Sequence, residues 1–160
     1  MASSEIGQAI AAAVRDGIAR ALAIVGLCGI ALIHLLDAPG HFGRAAYIGW
    51  LYVGLILASL SLAAALARSS ERRLWAAAGG LAASAIVGFV LSRTTGLPNS
   101  PDDIGNWGEP LGMASLFVEG ALVCLSGGVL TSRHRMAHGH VDTDAAAAIR
   151  REGRRALETA

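Results

Sequence analysis

Glu119 is the residue of greatest chemical consequence in this chain, because it is an ionisable side chain inside an apolar run. It stands eight residues into the stretch 111–130, about 12 Å below one boundary of that stretch at 1.5 Å per residue. A carboxyl group at such a depth in a membrane costs a few kcal/mol, so it calls for a partner or a water-filled cavity. Two other residues qualify as partners. His34 lies three residues inside one end of the first apolar stretch, and Arg93 closes the third. Helical side chains tilt toward the helix N-terminus. In antiparallel neighbours the heads of His34, Arg93 and Glu119 therefore point toward one level.

Three kinds of chemistry fit these residues. A divalent metal, the one candidate cofactor, would take His34, His41 and Glu119, with Asp37 as a further ligand. His34 and Glu119 would alternatively exchange a proton, as intramembrane carboxylates do in transporters. The third reading is a polar clamp that fixes helix register. His134, His138 and His140 form a second imidazole group. It reads as a solvated basic linker or as a metal site, and Gly139 argues against a long helix there. Only His34 is an intramembrane imidazole, so one chain does not supply a bis-His haem. No Ser-His-Asp or HExxH constellation, phosphate-cradling loop or basic-aromatic nucleic-acid surface is present.

The elements that must position these groups are four apolar stretches, roughly 18–36, 45–67, 74–91 and 111–130. Each approaches the ~20 residues needed to cross a hydrocarbon core. The 160-residue chain is 54% hydrophobic, with mean hydropathy +0.53 and 16% charged residues, against about 25% in a soluble domain. The fold class is therefore all-α, a four-helix transmembrane bundle. Ser3, Ser4 and Glu5 do not make the basic start of a cleavable signal, so the first stretch is predicted to be retained. Ile6, Ile10 and Val14 recur every four residues, which predicts a separate amphipathic helix over 1–17 on the membrane surface. Pro39-Gly40 predicts a turn after the first span. Asp142 or Thr143 predicts the start of a cytoplasmic helix in the tail 131–160. Cys28 and Cys124 fall at mismatched depths, so no disulfide joins them.

All thirteen basic residues are Arg. Eleven lie before the first span, between the second and third, or in the tail; Arg44 and Arg93 alone lie in the other two loops. The positive-inside rule then puts both termini in the cytoplasm of a multi-pass protein of the cytoplasmic membrane. The loop 92–110, with Asp102, Asp103 and Glu109, faces outward in that arrangement. In the third span Gly80, Ser84, Gly88 and Ser92 recur every four residues. In the fourth, Gly112, Ser115, Glu119 and Ser126 form a comparable stripe. Small faces of this kind let membrane helices approach closely, so spans three and four are predicted to pack along them.

Two strings resemble signatures of an uncharacterised group of small actinobacterial four-span membrane proteins. The first is His34-Leu-Leu-Asp-Ala-Pro-Gly-His41-Phe42. The second is Ser92-Arg93-Thr94-Thr95-Gly96-Leu97-Pro98, followed by Glu109-Pro110-Leu111-Gly112 and Glu119. The resemblance covers about residues 20–130. It implies the four-span fold and points to His34, His41, Arg93 and Glu119. Gly40 stands where the group often has Glu, and Ser115 where it often has Asp, which removes two carboxylates from any metal site. The functional expectation is a non-enzymatic accessory or binding protein with an outward-facing polar pocket formed by His34, Asp37, His41, Arg93, Glu109 and Glu119. A small ion- or proton-coupled transporter is the alternative, and a membrane oxidoreductase subunit the third reading. The expected partners are the lipid bilayer and a homo-oligomer or larger membrane complex, with no nucleic acid.

Overall fold

The computed structural model describes residues 2–43 and 45–158, and their side chains except at 2, 102 and 136–158. Four helices run α1 (Ala2–Phe42), α2 (Ala46–Arg68), α3 (Arg72–Thr94) and α4 (Pro110–Glu158), with one 3-10 turn at Pro101–Asp103. All four are long and apolar enough to cross a membrane. The 23 residues of α2 and of α3 give about 35 Å each, one crossing of a ~30 Å core.

Two predicted boundaries are corrected. The segment 1–17 is not a separate helix. Residues from Ala2 onward belong to α1, and Ile6, Ile10 and Val14 continue into Ile18 and Leu22 as one exposed row. α1 also runs through Pro39, which was the predicted turn, and ends at Phe42. A proline this close to a helix end removes one hydrogen bond, the one its missing N–H would make to Leu35, and little helix remains beyond it to be disrupted. The actual turn is at Gly43. At the other end of the chain α4 passes through Gly139 and Asp142 without a break. A single glycine costs a helix interior only about 1 kcal/mol, and the alanine-rich stretch after it favours helix. The side chains of His138 and His140 lie outside the described residues.

The packed core occupies the half of the bundle next to the α2–α3 turn. Leu27 and Ile30 of α1, Leu66 of α2, Trp75, Ala78 and Ala82 of α3 and Leu122 of α4 are buried there. Polar groups tie the same end. Arg20 of α1 donates from Nε to the Leu66 carbonyl (3.0 Å) and from Nη2 to the Ala67 carbonyl (2.8 Å), which satisfies carbonyls left open at the end of α2. Arg133 of α4 reaches Asp16 Oδ1 (2.8 Å) and Ser70 Oγ (2.6 Å) and also donates to the Ser70 carbonyl. Ser70 Oγ in turn donates to Asp16 (2.9 Å) and accepts from Trp75 Nε1 (3.1 Å). One four-residue cluster thus joins α1, the α2–α3 turn and α4.

The opposite end is closed by residues 95–109. Gly96, with φ +76°, takes the left-handed position after α3 that glycine occupies without strain. Its N–H and that of Thr95 both go to the Leu91 carbonyl. Tyr47 of α2 donates to the Pro98 carbonyl at 2.7 Å, and the Gly105 N–H to the Arg93 carbonyl at 2.9 Å, so the segment folds down on the helices.

Candidate functional site

α2 and α3 touch least among neighbouring helices. Between them, in the half of the bundle beneath residues 95–109, lies a cavity of about 280 Å³. α1 contributes His34, Asp37 and His41, which share one helical face. α2 contributes Tyr52, α3 contributes Arg93, and Ser115 and Glu119 come from α4. Leu51, Leu55 and Phe89 form apolar wall.

Glu119 sits at the inner limit of this cavity, about 14 Å along α4 from Pro110, and is only 1% exposed. Its Oε1 accepts from Ser115 Oγ at 2.6 Å, while the buried Oε2 has no hydrogen-bond partner among the described residues. His34 Nε2 is 3.9 Å from Oε1, beyond hydrogen-bond range. The other ring nitrogen of His34 lies 2.9 Å from the Ile30 carbonyl. A carbonyl only accepts, so Nδ1 carries the proton, and in the neutral ring Nε2 is left as an acceptor. With the ring neutral, His34 and Glu119 present acceptors to each other across a short gap.

Nearer the loop the groups are paired. Tyr52 stands between the two imidazoles, with ring centroids 4.8 Å from both His34 and His41, and donates its hydroxyl to Asp37 Oδ2 at 3.1 Å. His41 Nδ1 faces the Asp37 carbonyl at 3.2 Å. Arg93, 6% exposed, has Nη1 2.9 Å from Asp103 Oδ1 and Nη2 2.5 Å from Glu109 Oε2. Its guanidinium also lies 4.8 Å from the centre of the Phe89 ring. A smaller hollow of about 180 Å³ shares Asp37, His41, Arg93, Asp103 and Glu109 and extends to the exposed Gly40 and Asn106. It adjoins the larger cavity on the side of the loop.

The six residues predicted to form a pocket, His34, Asp37, His41, Arg93, Glu109 and Glu119, all line this one cavity. Their pairing differs from the predicted convergence. Arg93 turns toward Asp103 and Glu109, because two carboxylates on the adjoining loop offer a fork its guanidinium fits. His34, His41 and Glu119, the candidate metal ligands, do not form a metal-holding group. Among the described residues no three His, Cys, Asp or Glu side chains are placed to hold an ion.

The small residues of α3 also have a different role. A Cβ built on Gly80 or Gly88 meets nothing within 4 Å, and Ser84, Gly88 and Ser92 line the cavity. The close approach to α4 is made instead at Gly79, where a Cβ would stand 3.0 Å from Ser126 Cβ. On α4, Gly112 lies beneath the Phe89 ring, which a Cβ there would meet at 2.5 Å. Ser115 and Ser126 are buried on the same inward side. Sequence reasoning missed Tyr52, Phe89 and the pairing of Asp103 with Arg93. A tyrosine inside an apolar span was the available signal for the first.

Comparison with protein-family models, with curated proteins and with solved structures gives no match.

Proposed function

We propose that this chain is an integral membrane binding protein whose polar cavity opens toward the outer face of the cytoplasmic membrane, with both termini inside. One observation carries the binding reading: Glu119 is buried in a cavity with an oxygen that no group among the described residues satisfies. Stability alone disfavours such a group, since an unpaired buried acceptor costs about 1–3 kcal/mol. A carboxylate kept in that state marks a place where something else supplies the partner. The cavity also matches the usual composition of small-molecule sites, largely apolar with a few convergent polar groups. The orientation rests on the eleven-to-two division of arginines.

Orientation is tested in intact cells, in a background without Cys28 and Cys124. Asn106 and Glu71 are both exposed, at opposite ends of the bundle. Asn106→Cys should react with a membrane-impermeant maleimide and Glu71→Cys only after lysis. The reverse pattern would place the cavity on the cytoplasmic side.

A transport reading is favoured by one observation, the 3.9 Å gap between His34 Nε2 and Glu119 Oε1, across which a proton or cation would be shared. It requires flux in proteoliposomes that Glu119→Gln abolishes. A binding protein shows no flux with either residue.

A further inference from the structure

We infer that the cavity takes a protonated amine with a small apolar body, an inference that rests on the binding reading above. Most polar side chains of the cavity are already engaged. Tyr52 donates to Asp37, Ser115 to Glu119, and Ser84 and Ser92 to carbonyls of their own helix. Arg93 faces Asp103 and Glu109. Among the described residues Nη1 is ion-paired with Asp103, and Nε is the one N–H of this group left without a partner, near the loop rather than at the inner end.

What remains open at the inner end is acceptors. Glu119 Oε2 has no partner among the described residues, and Nε2 of neutral His34 is an acceptor held there by the Nδ1 contact to Ile30. Two acceptors do not bond each other, and a group with several N–H donors bridges them. An ammonium has three and carries the complementary charge.

Charge points the same way. Among the described residues, Asp37, Asp103, Glu109 and Glu119 line the cavity against a single guanidinium, that of Arg93. With every carboxyl ionised, one negative charge is in excess even when both imidazoles are protonated. An anion therefore meets repulsion from carboxylates on α1, α4 and the loop, and the guanidinium that would receive it is held between Asp103 and Glu109. The remaining wall, from Leu51 and Leu55 on α2 to Gly88 and Phe89 on α3, is apolar. An alkyl or aryl group attached to the ammonium has its place there. A bare metal ion does not fit this division, since among the described residues no third His, Cys, Asp or Glu joins His34 and Glu119.

The test is calorimetric titration of the full-length protein in phosphatidylcholine nanodiscs, with empty nanodiscs as background. The probes are 2-phenylethylammonium and hexylammonium, each beside its matched alcohol and carboxylate. At least one ammonium should saturate at one per chain, bind at least about tenfold tighter than its alcohol, and have a carboxylate that does not bind. Glu119→Gln should weaken the ammonium by about tenfold or more, as loss of a charge-assisted hydrogen bond does, and shift the alcohol much less. If Glu119→Gln does not fold, His34→Ala takes its place, with a smaller loss expected. Alcohol or carboxylate binding as tight as the ammonium overturns the cation assignment and leaves the binding reading intact. Absence of saturable binding by both ammonium probes also overturns it, and water access to the cavity then decides the binding reading separately.

Discussion

Replacing Arg93 with Ala is expected to destabilise the detergent-purified protein by about 3 kcal/mol, the low end of the range for breaking a buried ion pair. Arg93 is 6% exposed, whereas Asp103 and Glu109 keep 16% and 29% of their side-chain surface. Removing the guanidinium leaves two carboxylates facing each other across a cavity that already holds Asp37 and Glu119. Their residual exposure softens the penalty. Phe89 also loses the cation 4.8 Å from its ring. The Gly105 N–H to the Arg93 carbonyl survives, so the loop should loosen at Asp103 and Glu109 rather than detach. Arg93→Lys should fall between, because an ammonium is a point charge and does not reproduce the fork to two carboxylates. Thermal and denaturant unfolding followed by circular dichroism give the ranking. An Arg93→Ala protein within about 0.5 kcal/mol of the parent, the scatter of ordinary surface changes, would show that the cluster does not hold the loop.

The second large effect separates two glycines on one helix. Gly79→Leu should cost about 3 kcal/mol, the upper end of overpacking penalties, because even its Cβ would crowd Ser126 between two fully buried alanines, Ala78 and Ala82. Gly88→Leu should be neutral or stabilising. Its Cβ meets nothing within 4 Å, and leucine is favoured over glycine in a helix by up to about 1 kcal/mol. The cost of Gly88→Leu should appear instead as lost ammonium binding, since the new side chain fills the cavity. Equal destabilisation by the two changes would mean that α4 packs against the Gly88 face after all.

These glycines show where the sequence was legible. Uninterrupted apolar runs placed α2 and α3 within a few residues of their observed ends, because burial in lipid demands length and hydrophobicity at every turn. The residues of the cavity were legible for a related reason. His34, Arg93 and Glu119 are conspicuous in apolar surroundings, and all three line the cavity, with Arg93 paired to the loop rather than to the other two. Pro39 and Gly139 misled because each costs its helix a bounded amount that neighbouring turns offset. The Gly80–Ser92 stripe misled because small residues permit close approach and empty space equally, and only the neighbour's position distinguishes them. Arg93's partners depended on how residues 95–109 fold back, which no periodicity encodes. Asp16, Ser70, Trp75 and Arg133 meet through tertiary packing alone.

Two adjacent positions on α3 decide whether water reaches the polar cavity within the membrane-spanning part of the bundle. Val87 is 56% exposed on the outer surface of the bundle, whereas Gly88 lines the cavity. In a cysteine-free background reconstituted in lipid, each is changed to Cys and treated with a small, water-soluble, cationic methanethiosulfonate. Thiols react where water and reagent reach them, so lipid should protect Val87→Cys despite its exposure in the bare chain. Rapid modification of Gly88→Cys, slowed by a bound ammonium probe, with Val87→Cys unreactive, is the predicted result. An unreactive Gly88→Cys, or equal reaction at both positions, would contradict the account.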